Sequence, residues 1–335
     1  MDRYPRLVGT HPNRREFLVA AGAAGLFLAA ACSSDGSGSS STPKSVTVKH
    51  IFGETTIPAP PKRVVSAGFT EQDDLLAVGV VPVAVTNWFG DQPFGVWPWA
   101  QPKLGPARPV LLNLDNGIQV DQIAKLKPDL IVAVNAGLDA DTYKKLSAIA
   151  PTLAQSGGDA FFEPWKDQAT TVGAAVFQAD QMKQLISAVD DKFAGVGKNN
   201  SGFKDKKAVL LAGSFFGDTV TATLPGWRTD FLTQMGFQVP DSIQAFAADD
   251  HRAMIPRAQL AAALDQADVL IWSTESDAQQ AALLTDPAVA GLRATKQTRN
   301  VFTTKDLAGA IAFASPLSYP LVADQLPPLL SRALG

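Results

Sequence analysis

Ile123-Ala-Lys-Leu-Lys-Pro-Asp-Leu-Ile-Val-Ala133 is echoed in the second half of the chain, where 259–264 leads into Ala267-Asp-Val-Leu-Ile-Trp272. Each phrase carries apolar residues at helical spacing, then an acidic turn, then an unbroken apolar run of strand length. A strand that is apolar on both faces between helical segments belongs in a covered, mostly parallel sheet. The recurrence predicts one α/β lobe built twice.

The segments around the first phrase follow the same pattern. Strands are expected at 63–67, 80–86, 129–134 and 150–153. Helices are expected at 72–78 and 121–126, stopped by Gly79 and Pro128. In the second half, 227–235 is expected to be a helix ended by Gly236. Between the halves, 180–198 sets Met182, Leu185, Ile186, Val189 and Phe193 on one face with no internal Pro. An amphipathic helix of that length spans roughly 28 Å at 1.5 Å per residue and would hold two lobes apart with a cleft between them. The predicted organisation is a first lobe at 45–179, a connecting helix at 180–198 and a second lobe at 199–335.

The N-terminal residues read as an export signal. Arg3, Arg6 and the pair Arg14-Arg15 precede an apolar stretch at 17–31, which is short of the roughly 20 residues a spanning helix needs. Twin Arg followed by Phe17-Leu18 resembles a Tat signal, although Sec export needs only the charge and the apolar core. Leu28-Ala-Ala-Ala-Cys32 resembles a lipobox. The expectation is therefore a leader at 1–31, acylation of Cys32, a Ser/Gly tether at 32–44, and a chain anchored by lipid to the outer face of the cytoplasmic membrane. Cys32 is the only Cys, so disulfides and Cys-based metal sites are excluded. Loss of the leader would remove four Arg and two acids from 29 basic and 32 acidic groups, leaving a net charge near −5, which argues against nucleic acid as a partner.

Pro61-Lys-Arg-Val-Val-Ser-Ala-Gly-Phe-Thr-Glu-Gln-Asp-Asp-Leu-Leu-Ala-Val-Gly-Val-Val-Pro82, the Ile123 phrase, and Tyr143-Lys-Lys-Leu-Ser-Ala-Ile-Ala-Pro151 resemble the ferric-siderophore substrate-binding lipoproteins of ABC importers. The likeness is to the FecB-like, iron-dicitrate branch and its actinobacterial members. It implies a class III periplasmic-binding-protein fold that closes little on its ligand, a monomer, and delivery to an ABC permease. It further implies that Asp121 docks on a permease arginine, whereas Ala258 stands where the second docking acid is expected. Asp249, Asp250 and Asp265 are the substitutes at hand.

Ligands of α/β lobes sit beyond the C-terminal ends of the strands. The strand at 80–86 runs into Asn87-Trp88-Phe89-Gly-Asp-Gln-Pro-Phe94-Gly-Val-Trp97-Pro-Trp99, five aromatics in thirteen residues. The strand at 150–153 is followed by Gly157-Gly-Asp-Ala-Phe161-Phe162-Glu-Pro-Trp165. In the second half Trp227-Arg228 opens a helix after a strand, Arg252 lies in a polar loop after Asp249-Asp250, and Trp272 follows the strand expected at 269–271. Trp88, Phe89, Trp97, Phe161, Phe162, Trp165, Trp227 and Trp272 are thus candidate walls for a large, partly apolar ligand, with Arg228 and Arg252 for its anionic edge. The resemblance further implies that a site with many aromatics and few basic residues takes a hydroxamate or mixed-ligand chelate rather than a triscatecholate. The iron would arrive six-coordinate in its chelate, so neither protein metal ligands nor a cofactor are required. Haem is the alternative ligand, through Tyr143, Tyr319 or His251. A cell-envelope interaction module without a small ligand is a further alternative. No catalytic motif is present, and an enzyme is not expected.

Overall fold

The structure is a computed structural model that describes residues 45–158 and 160–335. The leader at 1–31, Cys32 and the tether at 32–44 lie outside the described residues. Strands β1 (Val46–His50) and β2 (Gly53–Ile57) form an antiparallel hairpin. The hairpin fastens to the edge of the first sheet, where Thr55 Oγ1 donates to Thr152 O at 2.7 Å and Ile51 N donates to Gln155 O at 3.0 Å.

The first sheet contains β3 (Val64–Ser66), β4 (Ala84–Thr86), β5 (Val110–Leu112), β6 (Leu130–Ala133) and β7 (Thr152–Ala154), in the order β5-β4-β3-β6-β7 and parallel throughout. Leu130, Ile131, Val132 and Ala133 are all fully buried, as a run with no polar alternation requires. The chain leaves β3 toward β4 and β5 and later returns to the other side of β3 as β6. The crevice of an open α/β sheet forms where that order reverses, beyond the carboxyl ends of β3 and β6. Phe69, Thr70 and Asn135 follow those two strands.

The helix Ala179–Asn199, 21 residues long, stands in the chain between this sheet and the next. Met182, Val189 and Phe193 are its buried face, and Leu185 and Ile186 are partly covered. Each of the three buried side chains contributes about 1.5–3 kcal/mol by leaving water. They join Val64 and Leu130 of the first sheet, Leu210 and Ile271 of the second, and Tyr319, Val322 and Leu326 of the helix Tyr319–Leu334 in one continuous core. A core that runs under both sheets resists large changes in the angle between the lobes.

The second sheet contains β8 (Ala208–Ala212), β9 (Thr219–Thr223), β10 (Arg252–Pro256), β11 (Val269–Ser273) and β12 (Asn300–Phe302), in the order β10-β9-β8-β11-β12. It is mixed. β8, β11 and β12 are parallel, while β9 pairs antiparallel with β8 on one side and β10 on the other. Alternate residues of β9 and β10 are buried and the rest are partly covered or, at Arg252, exposed, the pattern of strands with one solvated face.

Among the described residues no helix is long and apolar enough to cross a membrane, and no group of three or more His, Cys, Asp or Glu side chains is arranged to hold a metal ion.

Candidate ligand cleft between the lobes

The loops that leave β3, β4 and β7 put their aromatic rings into one stack. Phe69 lies 5.5 Å from Trp88 and 5.6 Å from Phe161, all near parallel, and Trp88 lies 4.9 Å from Phe162 and 4.5 Å from Phe89. Phe313, from the helix Lys305–Phe313 of the second lobe, reaches across to Trp88 at 5.5 Å and Trp99 at 5.6 Å. Rings at these separations each add about 0.5–1.5 kcal/mol beyond their buried area. The second lobe also supplies Trp227 and Arg228, whose guanidinium stands 4.2 Å over the Trp227 ring and 5.0 Å over Phe162.

The backbone is shaped to hold these rings. Phe162 has φ of 62°, a left-handed conformation that disfavours a bulky side chain by roughly 1–2 kcal/mol. Asn135 Oδ1 accepts from Phe162 N at 2.9 Å and keeps it there. Gly137 lies directly under the Phe161 ring, and any Cβ at that position would overlap the ring.

Beneath the aromatics the floor is polar. Asn135 Nδ2 donates to Thr70 Oγ1 at 2.9 Å, and Gln168 Nε2 donates to Asp74 Oδ2 at 2.7 Å. Glu71, Asp73 and Asp74 occupy the helix Glu71–Ala77, yet none is more than 1% exposed. Burial pushes the Glu71 carboxyl up to about 7, against hydrogen bonds from the backbone of Asn135 and Thr70. Burial likewise pushes Asp73 up to about 6, although Trp99 Nε1 at 2.7 Å and Ser315 Oγ at 2.6 Å both donate to its Oδ2. Asp74 and Glu163 are raised by burial as well. Ser315 belongs to the second lobe, so Asp73 is a clasp between lobes. Lys305 Nζ donating to Gly90 O at 2.7 Å is another.

Of the residues expected from sequence, Trp88, Phe89, Phe161, Phe162, Trp227 and Arg228 are partly exposed, and they meet at this cleft. The other four candidates stand back from this wall. Trp97 is fully buried behind the wall, stacked on Trp99 at 5.0 Å, and gives support rather than contact. Trp165 is 5% exposed and packs on Tyr319 at 5.3 Å; it lines only the deepest part of the cleft. Trp272 is buried in the second lobe's core, with Nε1 donating to Asn300 Oδ1 at 3.0 Å. Arg252 opens β10 and pairs with Asp249 at 2.6 Å.

The expected haem ligands are scattered. Tyr319 is 2% exposed in the interlobe core, and Tyr143 stacks on Phe52 with its hydroxyl 3.3 Å from His50 Nε2 under the hairpin. Only His251 lies by the cleft, edge-on to Trp227 at 6.2 Å. Asp121 is exposed in the first turn of the helix Val120–Lys125, and Ala258 is exposed in the turn Arg257–Gln259. The substitutes Asp249 and Asp265 are already engaged, by Arg252 and by the backbone of Arg293. Phe69, Phe313 and the buried carboxyls were not anticipated. Phe69 sits inside the Pro61 phrase directly after a strand, a position that marks it; Phe313 on its helix carries no such mark.

Residues 64–307 match the family described as periplasmic binding protein. A crystal structure of a periplasmic solute binding protein from Mycobacterium smegmatis superimposes with a TM-score of 0.83 and 65% identity, covering 87% of this chain and 99% of that one. A probable siderophore-binding lipoprotein of Bacillus subtilis, YfiY, is 34% identical over 220 residues, 63% of each chain, so the match spans under two thirds of that relative's length. The Streptococcus pneumoniae protein PiaA, solved in complex with ferrichrome, shares the fold at a TM-score of 0.70 and 24% identity, covering 86% of this chain and 98% of that one.

Proposed function

The chain belongs to the periplasmic binding protein family, and from that premise we propose that it captures a ferric siderophore in the interlobe cleft and delivers it to the permease of an ABC importer. The observation that carries the reading is the aromatic wall drawn from both lobes with the Arg228 guanidinium above Phe162. A ferric chelate is a large ligand with an apolar skirt and oxygen-rich edges. Rings cover the skirt through dispersion, and a guanidinium matches the oxygens. The iron keeps its six chelator oxygens, so the protein has only to enclose it. A wall rich in rings with one Arg suits a hydroxamate or mixed-ligand chelate, and the name borne by the Bacillus subtilis relative supports a siderophore as the ligand.

The remaining assignments belong to the same proposal. The chain is of the FecB-like branch, is exported, and is held by acyl groups on Cys32 at the outer face of the cytoplasmic membrane. It acts as a monomer whose lobes, 45–179 and 199–335, flank the helix 180–198, and it meets the permease through Asp121.

Titration of the chain from Ser33 onward with ferric hydroxamate and mixed-ligand siderophores, their iron-free forms and haem tests this by tryptophan fluorescence. Saturable quenching by a ferric siderophore and not by its iron-free form is the expected result. A response to haem alone, or to no ligand, overturns it.

A further inference from the structure

Below the aromatic wall, between the lobes, lies a small cavity with room for one modest chemical group rather than a whole chelate. Thr70, Asn135, Glu163 and Gln168 form its polar side, and Phe162, Trp165, Trp227 and Phe313 its aromatic side. Most of the polar groups are used internally. Thr70 takes the Asn135 amide, Gln168 is spent on Thr70 and Asp74, and Asn135 Oδ1 holds Phe162 N.

Glu163 differs from the others. It is 6% exposed, and its Oε2 accepts from Ser156 N at 2.8 Å and Ser156 Oγ at 2.6 Å. Its Oε1 is buried with no hydrogen-bond partner among the described residues. A buried carboxylate oxygen left without a donor is costly, about 1–3 kcal/mol or more when charged. The neighbourhood makes one kind of donor preferable. On top of burial, the Glu163 charge pushes up the neighbouring buried carboxyls of Glu71 and Asp74, and a donor that brings a positive charge relieves that repulsion where a neutral hydroxyl does not. Aromatic faces favour a cation as well.

We propose that this cavity seats a primary ammonium group carried by the ligand, with Glu163 Oε1 as its acceptor and the rings of Phe162, Trp227 and Phe313 as its walls. The proposal rests on the reading of the cleft as a siderophore site and narrows it to chelates that bear a free amine. The chelate body lies against the upper wall of Trp88 and Phe161, and the amine arm reaches the floor. The pairing stabilises a buried carboxylate that burial alone disfavours.

The test compares a linear ferric trishydroxamate that ends in a free ammonium with its N-acetyl derivative, which holds iron identically but carries no charge. Their affinities are read by tryptophan quenching on the chain from Ser33 onward, unaltered and as Glu163→Gln and Glu163→Asp. A charge-assisted hydrogen bond predicts a preference for the ammonium form of at least about tenfold in the unaltered chain. That ratio falls toward one in Glu163→Gln and is partly kept in Glu163→Asp. A ratio near one in the unaltered chain overturns the proposal and leaves the siderophore reading intact, as does a ratio that Glu163→Gln does not change. Failure of both chelates to bind removes the siderophore reading and this proposal with it. The unaltered chain alone decides the matter if Glu163→Gln does not fold.

Discussion

Replacing Glu71 by Gln removes one of the buried carboxyls under the cleft and should flatten the dependence of stability on pH. Glu71 is fully buried, and burial raises its carboxyl from the usual 4.5 to about 7. At 1.36 kcal/mol per pH unit that difference amounts to about 3 kcal/mol. Because the folded-state value is the higher one, the folded chain holds the proton more tightly than the unfolded chain. The contribution is complete below about pH 4.5 and is lost as pH rises through about 7. Asp73, raised to about 6, and Asp74 and Glu163, also raised, act in the same direction. The unfolding free energy of the parent should therefore fall by about 3 kcal/mol or more between about pH 4 and about pH 8. A Gln cannot ionise and stands in for the neutral carboxyl, so Glu71→Gln should lose about 3 kcal/mol of that fall and at high pH be at least as stable as the parent. Urea unfolding followed by tryptophan fluorescence across this range measures both. Parallel curves for parent and variant, or a parent that gains stability with rising pH, would refute the reasoning.

Trp88→Ala removes the ring that touches Phe69, Phe89, Phe162 and Phe313, and binding of a ferric trishydroxamate should weaken by roughly 10–100-fold in a quenching or calorimetric titration. Ser315→Ala deletes the donor that the second lobe gives to Asp73. It should lower the unfolding free energy by about 1–3 kcal/mol at pH 7 and by less at pH 5, where Asp73 is neutral. Gly137→Ala should destabilise the chain and displace Phe161, seen as a lower unfolding midpoint together with weaker chelate binding. Cys32→Ala should abolish incorporation of labelled fatty acid and release the chain from the membrane fraction.

The sequence made the skeleton readable because its strands are apolar on both faces. The phrase ending Leu-Ile-Val-Ala became β6, within a residue of expectation at each end, and its echo became β11, which starts at Val269 and runs on to Ser273. The helix expected at 180–198 forms as Ala179–Asn199 with the anticipated buried face. β9 was less legible. Thr-Val-Thr-Ala-Thr alternates in burial, and its antiparallel turn depends on partners far along the chain. The helix expected from Trp227 begins only at Asp230, because Gly226 N donates to Thr229 Oγ1 and Thr229 N to Gly226 O, which closes a turn first.

At the cleft, aromatic loops after strands marked where the rings of Trp88, Phe89, Phe161 and Phe162 gather. The same signal misled at Trp272, because a Trp within a strand points to one face or the other and here faces the core. Glu71, Asp73 and Asp74 were illegible for a physical reason. Acids in a first helical turn ordinarily face water and complement the helix dipole, and only the folded partners show why these are buried: the Asn135 backbone for Glu71, Trp99 and the second lobe's Ser315 for Asp73, and Gln168 for Asp74.

The most direct test of the account is a crystal of the chain from Ser33 onward soaked with a ferric trishydroxamate, with the iron located by its anomalous scattering. The account predicts one iron site between the lobes, beside Trp88 and Arg228, with all six ligand atoms supplied by the chelator. An iron site elsewhere on the chain, or iron bound directly by protein side chains, would contradict it.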